Sequence, residues 1–156
     1  MSRVEHYNDD NAPKANSIVV AVTAVAPNEK GEILLQRRTD NGLWALPGGA
    51  QDVGESIAQT VVREVREETG FDVEVTGVVG IYSNPRHVIE FSDGEVRQQF
   101  SICFHARLVG GSAATSSESS EVAFVAPQNL DDYDIHPSMR LRIDHALTRR
   151  AEPYIC

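Results

Sequence analysis

The run Ser17–Pro27, SIVVAVTAVAP, constrains the fold more than any other stretch. It is apolar in every register, so it cannot lie on a surface as an amphipathic helix or a half-exposed strand. A bilayer-spanning helix needs about 20 apolar residues, and this run is far shorter. A buried strand is what remains. The next signal, EILLQRR at 32–38, follows NEKG, whose Asn28 and Gly31 are turn residues, and the pair predicts a hairpin.

The remaining chain divides by the same logic. Residues 1–16 are polar and read as a flexible arm, 17–150 as one folded domain and 151–156 as a short tail. Between 39 and 56, TDNGLWALPGGAQDVGES carries Asn-Gly, Pro-Gly and Gly-Gly steps, which predict a long ordered loop around Trp44. From Ser56 to Thr69 a helix is expected. Glu55 or Ser56 serves its start, Val61, Val62 and Val65 supply an apolar stripe, and Gly70 is a left-handed stop. FDVEVTGVVGIYS then alternates as a strand, and Asp93-Gly94 centres a second hairpin. GSAATSSESS reads as a flexible polar loop and EVAFVAP as a short strand. Pro137 opens a final helix, PSMRLRIDHALTRR, with Met139, Ile143 and Leu147 on one face. Hairpins mixed with few helices indicate an α+β chain with a mixed sheet covered by helices, not a doubly wound parallel one.

Composition narrows the function. The formal charge is −9, which argues against a protein that tracks a nucleic-acid polymer, because such proteins cluster positive charge. Small anionic ligands stay open, since a divalent cation reverses the local field. Cys103 and Cys156 lie too far apart in sequence for a metal-binding pair and form no disulfide framework. No segment reads as a leader or membrane anchor, so a cytoplasmic protein without membrane contact is expected.

One local oddity remains. REVREETG, 63–70, crowds Glu64, Glu67 and Glu68 onto one helix face, three and four residues apart, without interleaved lysines. Like charges so placed repel, and either Arg63 and Arg66 or a hard cation that prefers oxygen ligands must offset them. Upstream, PGGAQDVGE brings glycine backbone and Glu55 to the start of the same helix, and glycine lets a carbonyl approach an ion closely.

Gly49, Glu55 and the run Arg63-Glu64-Val65-Arg66-Glu67-Glu68-Thr69-Gly70-Phe71, at these intervals, resemble the complete signature of the Nudix hydrolases, the MutT-like proteins. Chance agreement at all these positions is on the order of 10⁻⁹ per starting point for average residue usage. GEILLQRR, GLWALPGG and EVAFVAPQNL resemble the family's flanking segments, so the likeness covers most of 17–148.

The resemblance implies an α/β/α sandwich with a curved mixed sheet between helices. It implies hydrolysis of a pyrophosphate bond in a nucleoside diphosphate linked to another moiety, such as ADP-ribose or a nucleotide sugar, with Mg²⁺ as cofactor and Mn²⁺ as substitute. Glu64, Glu67 and Glu68 become the metal-facing acids, helped by a carbonyl of Gly48 or Gly49. Glu55 and Arg63 become the salt bridge that braces the loop against the helix. Glu64 is the first candidate for the catalytic base, while a later acid is the alternative, Glu118 ahead of Glu121.

For the substrate, Arg37, Arg38 and Arg97 are candidates for the phosphates, and Trp44, Tyr82 or Tyr133 for stacking on a base, although such aromatics more often pack in cores. His87, His105 and His136 read as structural. A homodimer is a family expectation. Three other functions keep the same residues in play: a nucleoside triphosphate pyrophosphohydrolase that clears damaged nucleotides, a non-catalytic nucleotide-sensing module, and an isomerase built on the same box.

Overall fold

The strand predicted from SIVVAVTAVAP lies between two helical layers in the computed structural model, which describes residues 2–156. In chain order the elements are β1 (Arg3–Tyr7), β2 (Ser17–Val25), β3 (Ile33–Arg38), β4 (Trp44–Ala45), β5 (Gly48–Ala50) and α1 (Ile57–Thr69). They continue with β6 (Phe71–Tyr82), β7 (His87–Phe91), β8 (Val96–Gly111), β9 (Ser119–Val125), a 3₁₀ turn (Pro127–Asp132), α2 (Pro137–Leu147) and β10 (Tyr154–Ile155).

Side chains alternate across β2 and β3 and so feed two cores. Val22, Ala24, Ala26 and Leu34 pack with Val61 and Val65 of α1. Val25, Ile33 and Leu35 face the other way and pack with Ile143 and Ala146 of α2. That makes the α/β/α layering. The first half of β2 is less covered, with Ile18 64% exposed.

The larger sheet is mixed. Its order is β1-β7-β8-β2-β5, with β6 joined to β8 and β10 to β6. The β2–β8 and β10–β6 pairs are parallel and the others antiparallel. A second sheet runs β4-β3-β9. The β7–β8 hairpin turns at Gly94, φ +95°, as Asp93-Gly94 predicts.

Three expectations change. First, β2 and β3 do not form a hairpin. They meet only at the Pro27–Ile33 bridge and a few backbone bonds at the turn, then diverge into different sheets. The turn residues were legible, but each strand finds better partners elsewhere. Second, residues 1–16 are not a loose arm, because β1 adds an edge to β7 along five residue pairs. Polar composition hid it: side-chain pairs such as His6 with Glu90 and Glu5 with His87 replace apolar burial. Third, the tail is tied down, since Tyr154 and Ile155 pair with Gly80 and Ile81.

No helix among the described residues is long and apolar enough to cross a membrane.

Candidate active site

Helix α1 starts where its sequence says it should. The Ser56 hydroxyl accepts from the Gln59 N–H, and the Gln59 side chain accepts from the Ser56 N–H, a reciprocal cap that satisfies two otherwise orphaned donors. At the other end Gly70 takes φ +81°. A Cβ there would also lie 2.2 Å from the Ser112 carbonyl oxygen, so glycine is required twice over.

Arg63 fastens the preceding loop to this helix. Its Nε donates to Glu55, its Nη2 to Glu55 Oε2 and the Ala50 carbonyl, both at 3.1 Å, and its Nη1 to Glu64 Oε1 at 2.9 Å. Glu55 also accepts from the Thr60 hydroxyl at 2.9 Å and the Asp52 N–H at 3.1 Å. The Arg63 guanidinium, chiefly, holds the Glu55 carboxyl at about 2. The brace expected between Glu55 and Arg63 is therefore part of a clamp that also holds the Ala50 carbonyl and Glu64.

The acid face divides unevenly. Glu68 is only 3% exposed, and its carboxylate accepts from the Gly48 N–H at 2.7 Å and from the Gln36 side-chain amide. Burial, reinforced by the nearby charge of Glu64, pushes its carboxyl up to about 8. Burial likewise raises that of Glu64. Glu67 departs from the expectation that three acids converge: its side chain is 58% exposed and pairs with Arg63 Nη1 at 3.2 Å. It sits at i+3 from Glu64, but helical twist turns it outward to the arginine.

Both glycines of the loop are fixed by contact. A Cβ on Gly49 would stand 2.5 Å from the Glu64 carboxylate, and one on Gly48 only 2.0 Å from the Val22 carbonyl oxygen in the paired strand. Glycine thus lets Glu64 pack against the β5 backbone.

Glu64, Glu68, Gly48 and Gly49 form one wall of a cleft of about 520 Å³. Glu118 stands at its rim, at the entry to β9. Arg3, Arg38 and Arg97 supply the positive side. Asp40 holds Arg38 at 2.7–2.9 Å and Arg3 at 3.2 Å, while Glu95 holds Arg97, whose guanidinium lies 4.6 Å over the Phe91 ring.

Other sequence candidates lie outside this cleft. Arg37 donates to Glu121 and to the Gly42 carbonyl, which also removes Glu121 as the later acid beside Glu118. Trp44 stacks edge-on against Tyr133 at 5.1 Å and packs on the α2-side core. Tyr82 is 8% exposed and shares a hydrogen bond with His145 Nδ1 at 2.8 Å. Both aromatics are core residues, the outcome that apolar area favours. The aromatic on the cleft wall is Phe91. Sequence reasoning missed it, and missed Arg3 by placing it in a loose arm. Gln36 was missed too, although a lone amide inside the apolar run ILLQ was a signal that something polar waits behind the sheet.

Among the described residues no three His, Cys, Asp or Glu side chains gather into a ready metal cage. The donors present nevertheless fit a hard divalent cation. Mg²⁺ characteristically takes one or two carboxylates, keeps several waters and completes its shell with substrate phosphate. Glu64, partly buried, and Glu68, buried, lie one helical turn apart with their charge only partly offset by Arg63 and Arg38, and Gln36 Oε1 is a buried acceptor with no partner.

A family model described as NUDIX domain matches residues 18–145. A MutT-like protein of Streptomyces ambofaciens is 37% identical over 113 residues, covering 72% of this chain and 67% of that one. An ADP-ribose pyrophosphatase of Methanocaldococcus jannaschii is 30% identical over 129 residues, 81% of this chain and 68% of that one. The crystal structure of an ADP-ribose pyrophosphatase from Streptococcus suis superposes with a TM-score of 0.67 at 31% identity, covering 88% of this chain and 98% of the other.

Proposed function

The chain belongs to the NUDIX family and is a pyrophosphohydrolase of that family, and from that premise we propose its substrate class. It hydrolyses the pyrophosphate bond of a nucleoside diphosphate joined to a second group, ADP-ribose or a nucleotide sugar, with Mg²⁺ on the acidic wall.

The observation that carries the proposal is Glu68: a carboxylate buried to 3% exposure beside a second acid, in a cleft whose other side is arginine. A purely structural role would not favour two acids there, since burial drives the Glu68 carboxyl up to about 8 and only a facing cation would restore its charged form at neutral pH. The cleft volume of about 520 Å³ falls in the roughly 300–1,000 Å³ range of small-molecule sites. The substrate class is supported by the relatives named as ADP-ribose pyrophosphatases at 30% and 31% identity.

When bound, the cation polarises phosphoryl oxygens and offsets charge at the bridging oxygen. The protein's own groups do the rest. Glu64 and Glu68 would hold the cation, with a carbonyl of Gly48 or Gly49 beside them. Arg3, Arg38 and Arg97 receive the diphosphate oxygens, a task that suits guanidinium forks. Their carboxylate partners Asp40 and Glu95 keep them oriented. Glu64, whose carboxyl is raised by burial, accepts the proton of the attacking water. Glu118 faces that water from the rim. Phe91 offers the flat surface on which a base or sugar lies.

The test is a Mg²⁺-supplemented screen over ADP-ribose, nucleotide sugars, dinucleotides and (deoxy)nucleoside triphosphates, with product identification. Two monophosphates from a diphosphate derivative are expected. Pyrophosphate plus a monophosphate from a triphosphate would replace this reading with nucleotide clearance. Metal and nucleotide binding without turnover would replace it with a sensing role.

A further inference from the structure

Arg149 and Arg150 stand side by side past the end of α2 with no acid to hold them. Arg107 pairs with Glu74, and Arg140 with Asp131 and Asp144, but neither guanidinium of the 149–150 pair has an acid within ion-pair distance among the described residues. The chain carries 23 acids against 14 Lys and Arg, so its composition does not explain a free pair of cations. Arg149 also takes φ +47°, the left-handed conformation in which helices usually stop on glycine. A long side chain kept where glycine would be unstrained points to a use for that side chain.

Both arginines line a groove of about 330 Å³, a volume within the range of small-molecule sites. Its other polar groups are the Thr76 hydroxyl and the His105 imidazole, neither of which has a hydrogen-bond partner among the described residues. Val25, Pro27 and Ala106 complete the lining, and no aspartate or glutamate enters it. Thr76 is the unpaired residue of a bulge between β6 and β8, a device that re-aims a side chain. Arg150 lies 5.6 Å over the Tyr154 ring, which fixes the guanidinium plane and leaves its N–H edge free. The carbonyls that end α2 make no claim on the arginines, because Asp144, His145 and Ala146 already accept from the Thr148 N–H, the Thr148 hydroxyl and the Arg149 N–H. Burial and the charge of Arg149 hold the His105 imidazole below its ordinary value, with no carboxylate to offset them.

A hollow of about 170 Å³ continues from the groove, sharing Val25, Pro27, His105 and Arg149 with it. It adds Gly31, Ile33, Ala146 and Leu147, so this extension is apolar. Two guanidinium forks match the tetrahedral oxygens and about two negative charges of a phosphate monoester better than the single charge of a carboxylate. The hollow suits the group that such a phosphate carries. The site is separate from the cleft: Gln99 lines the cleft and His105 the groove, six residues apart on β8, or about 20 Å.

We propose that Arg149, Arg150, His105 and Thr76 form a second binding site, for a compact phosphate monoester with an apolar organic group, distinct from the hydrolytic cleft. The inference does not rest on the proposed substrate.

The test follows the His105 ring signals by NMR in the full chain in chelator, with phenyl phosphate as the probe. They should move saturably. Inorganic phosphate should bind about tenfold more weakly, because it leaves the hollow unfilled, and equal affinity overturns the apolar part of the proposal. Arg149→Gly combined with Arg150→Gln should fold, since glycine suits the left-handed backbone, and should bind phenyl phosphate at least tenfold more weakly. Arg150→Gln alone serves if the double variant does not fold. Arg38→Gln, which alters only the cleft, should leave the His105 response unchanged. No saturable movement in the parent protein, undiminished affinity in a folded 149–150 variant, or loss of the response in Arg38→Gln overturns the proposal.

Discussion

At the scale of single residues, two neighbouring glycines have opposite duties. A methyl group on Gly49 meets the tip of a flexible side chain, the Glu64 carboxylate, which can move away. Gly49→Ala should therefore fold with little loss of stability yet lose hydrolytic turnover, because Glu64 leaves its place. A methyl group on Gly48 meets the backbone of β2 at 2.0 Å, which cannot yield without breaking strand pairing. Gly48→Ala should lower Tm markedly, and thermal unfolding of the two variants side by side separates the cases. Arg63 is equally specific. Lys cannot reproduce a fork that reaches Glu55, Glu64, Glu67 and the Ala50 carbonyl at once, so Arg63→Lys should reduce kcat/KM even though the charge is kept. Much of this was legible in the sequence, because the residues from Gly49 to Phe71 carry the family resemblance that implies both the clamp and the acids. Which acids actually face the cleft was not. Glu67 and Glu64 differ by helical angle and by the reach of Arg63, neither of which a spacing of three residues resolves.

Among the elements, α1 carries the clearest local code. Ser56, Gln59 and Gly70 fix both ends, and Ser56→Ala should cost about 1 kcal/mol in chemical denaturation. Strand pairing was harder to read. The turn after β2 looked like a hairpin, yet β2 pairs with β8 and β5 while β3 pairs with β4 and β9. Partner choice depends on covering both faces of β2 at once, and that is decided by segments eighty residues away rather than by the turn. β1 escaped for a different reason. RVEHY has no apolar run, and its hold on β7 comes from Glu5 and His6, whose partners His87 and Glu90 are invisible until the strands are side by side. The same blindness removed Arg3 from the candidate phosphate ligands.

For the molecule as a whole, Glu5 ties β1 to β7 through His87 and lies 3.7 Å from His136 at the start of α2. Burial alone would raise its carboxyl, but the His87 hydrogen bond and the charges of His136 and Arg3 bring it down to about 2. A carboxyl depressed on folding stabilises the protein above its unfolded value of 4.5, and that contribution is lost as pH falls through 4.5 toward 2. The shift corresponds to about 3 kcal/mol. Glu5→Gln should be less stable at neutral pH by about that amount and should flatten the acid limb of the stability curve. The cleft depends on the same assembly, because β1 delivers Arg3, β5 the glycines, α1 the acids and β9 the rim acid. Whether Glu68 serves a cation or the core is decided by Glu68→Gln. Its folding, Mg²⁺ affinity and turnover should be measured on the substrate the screen identifies. A folded protein of at least parental stability, weakened Mg²⁺ binding and turnover lower by about 10² or more are expected. Near-parental turnover in the folded variant would contradict the cation role.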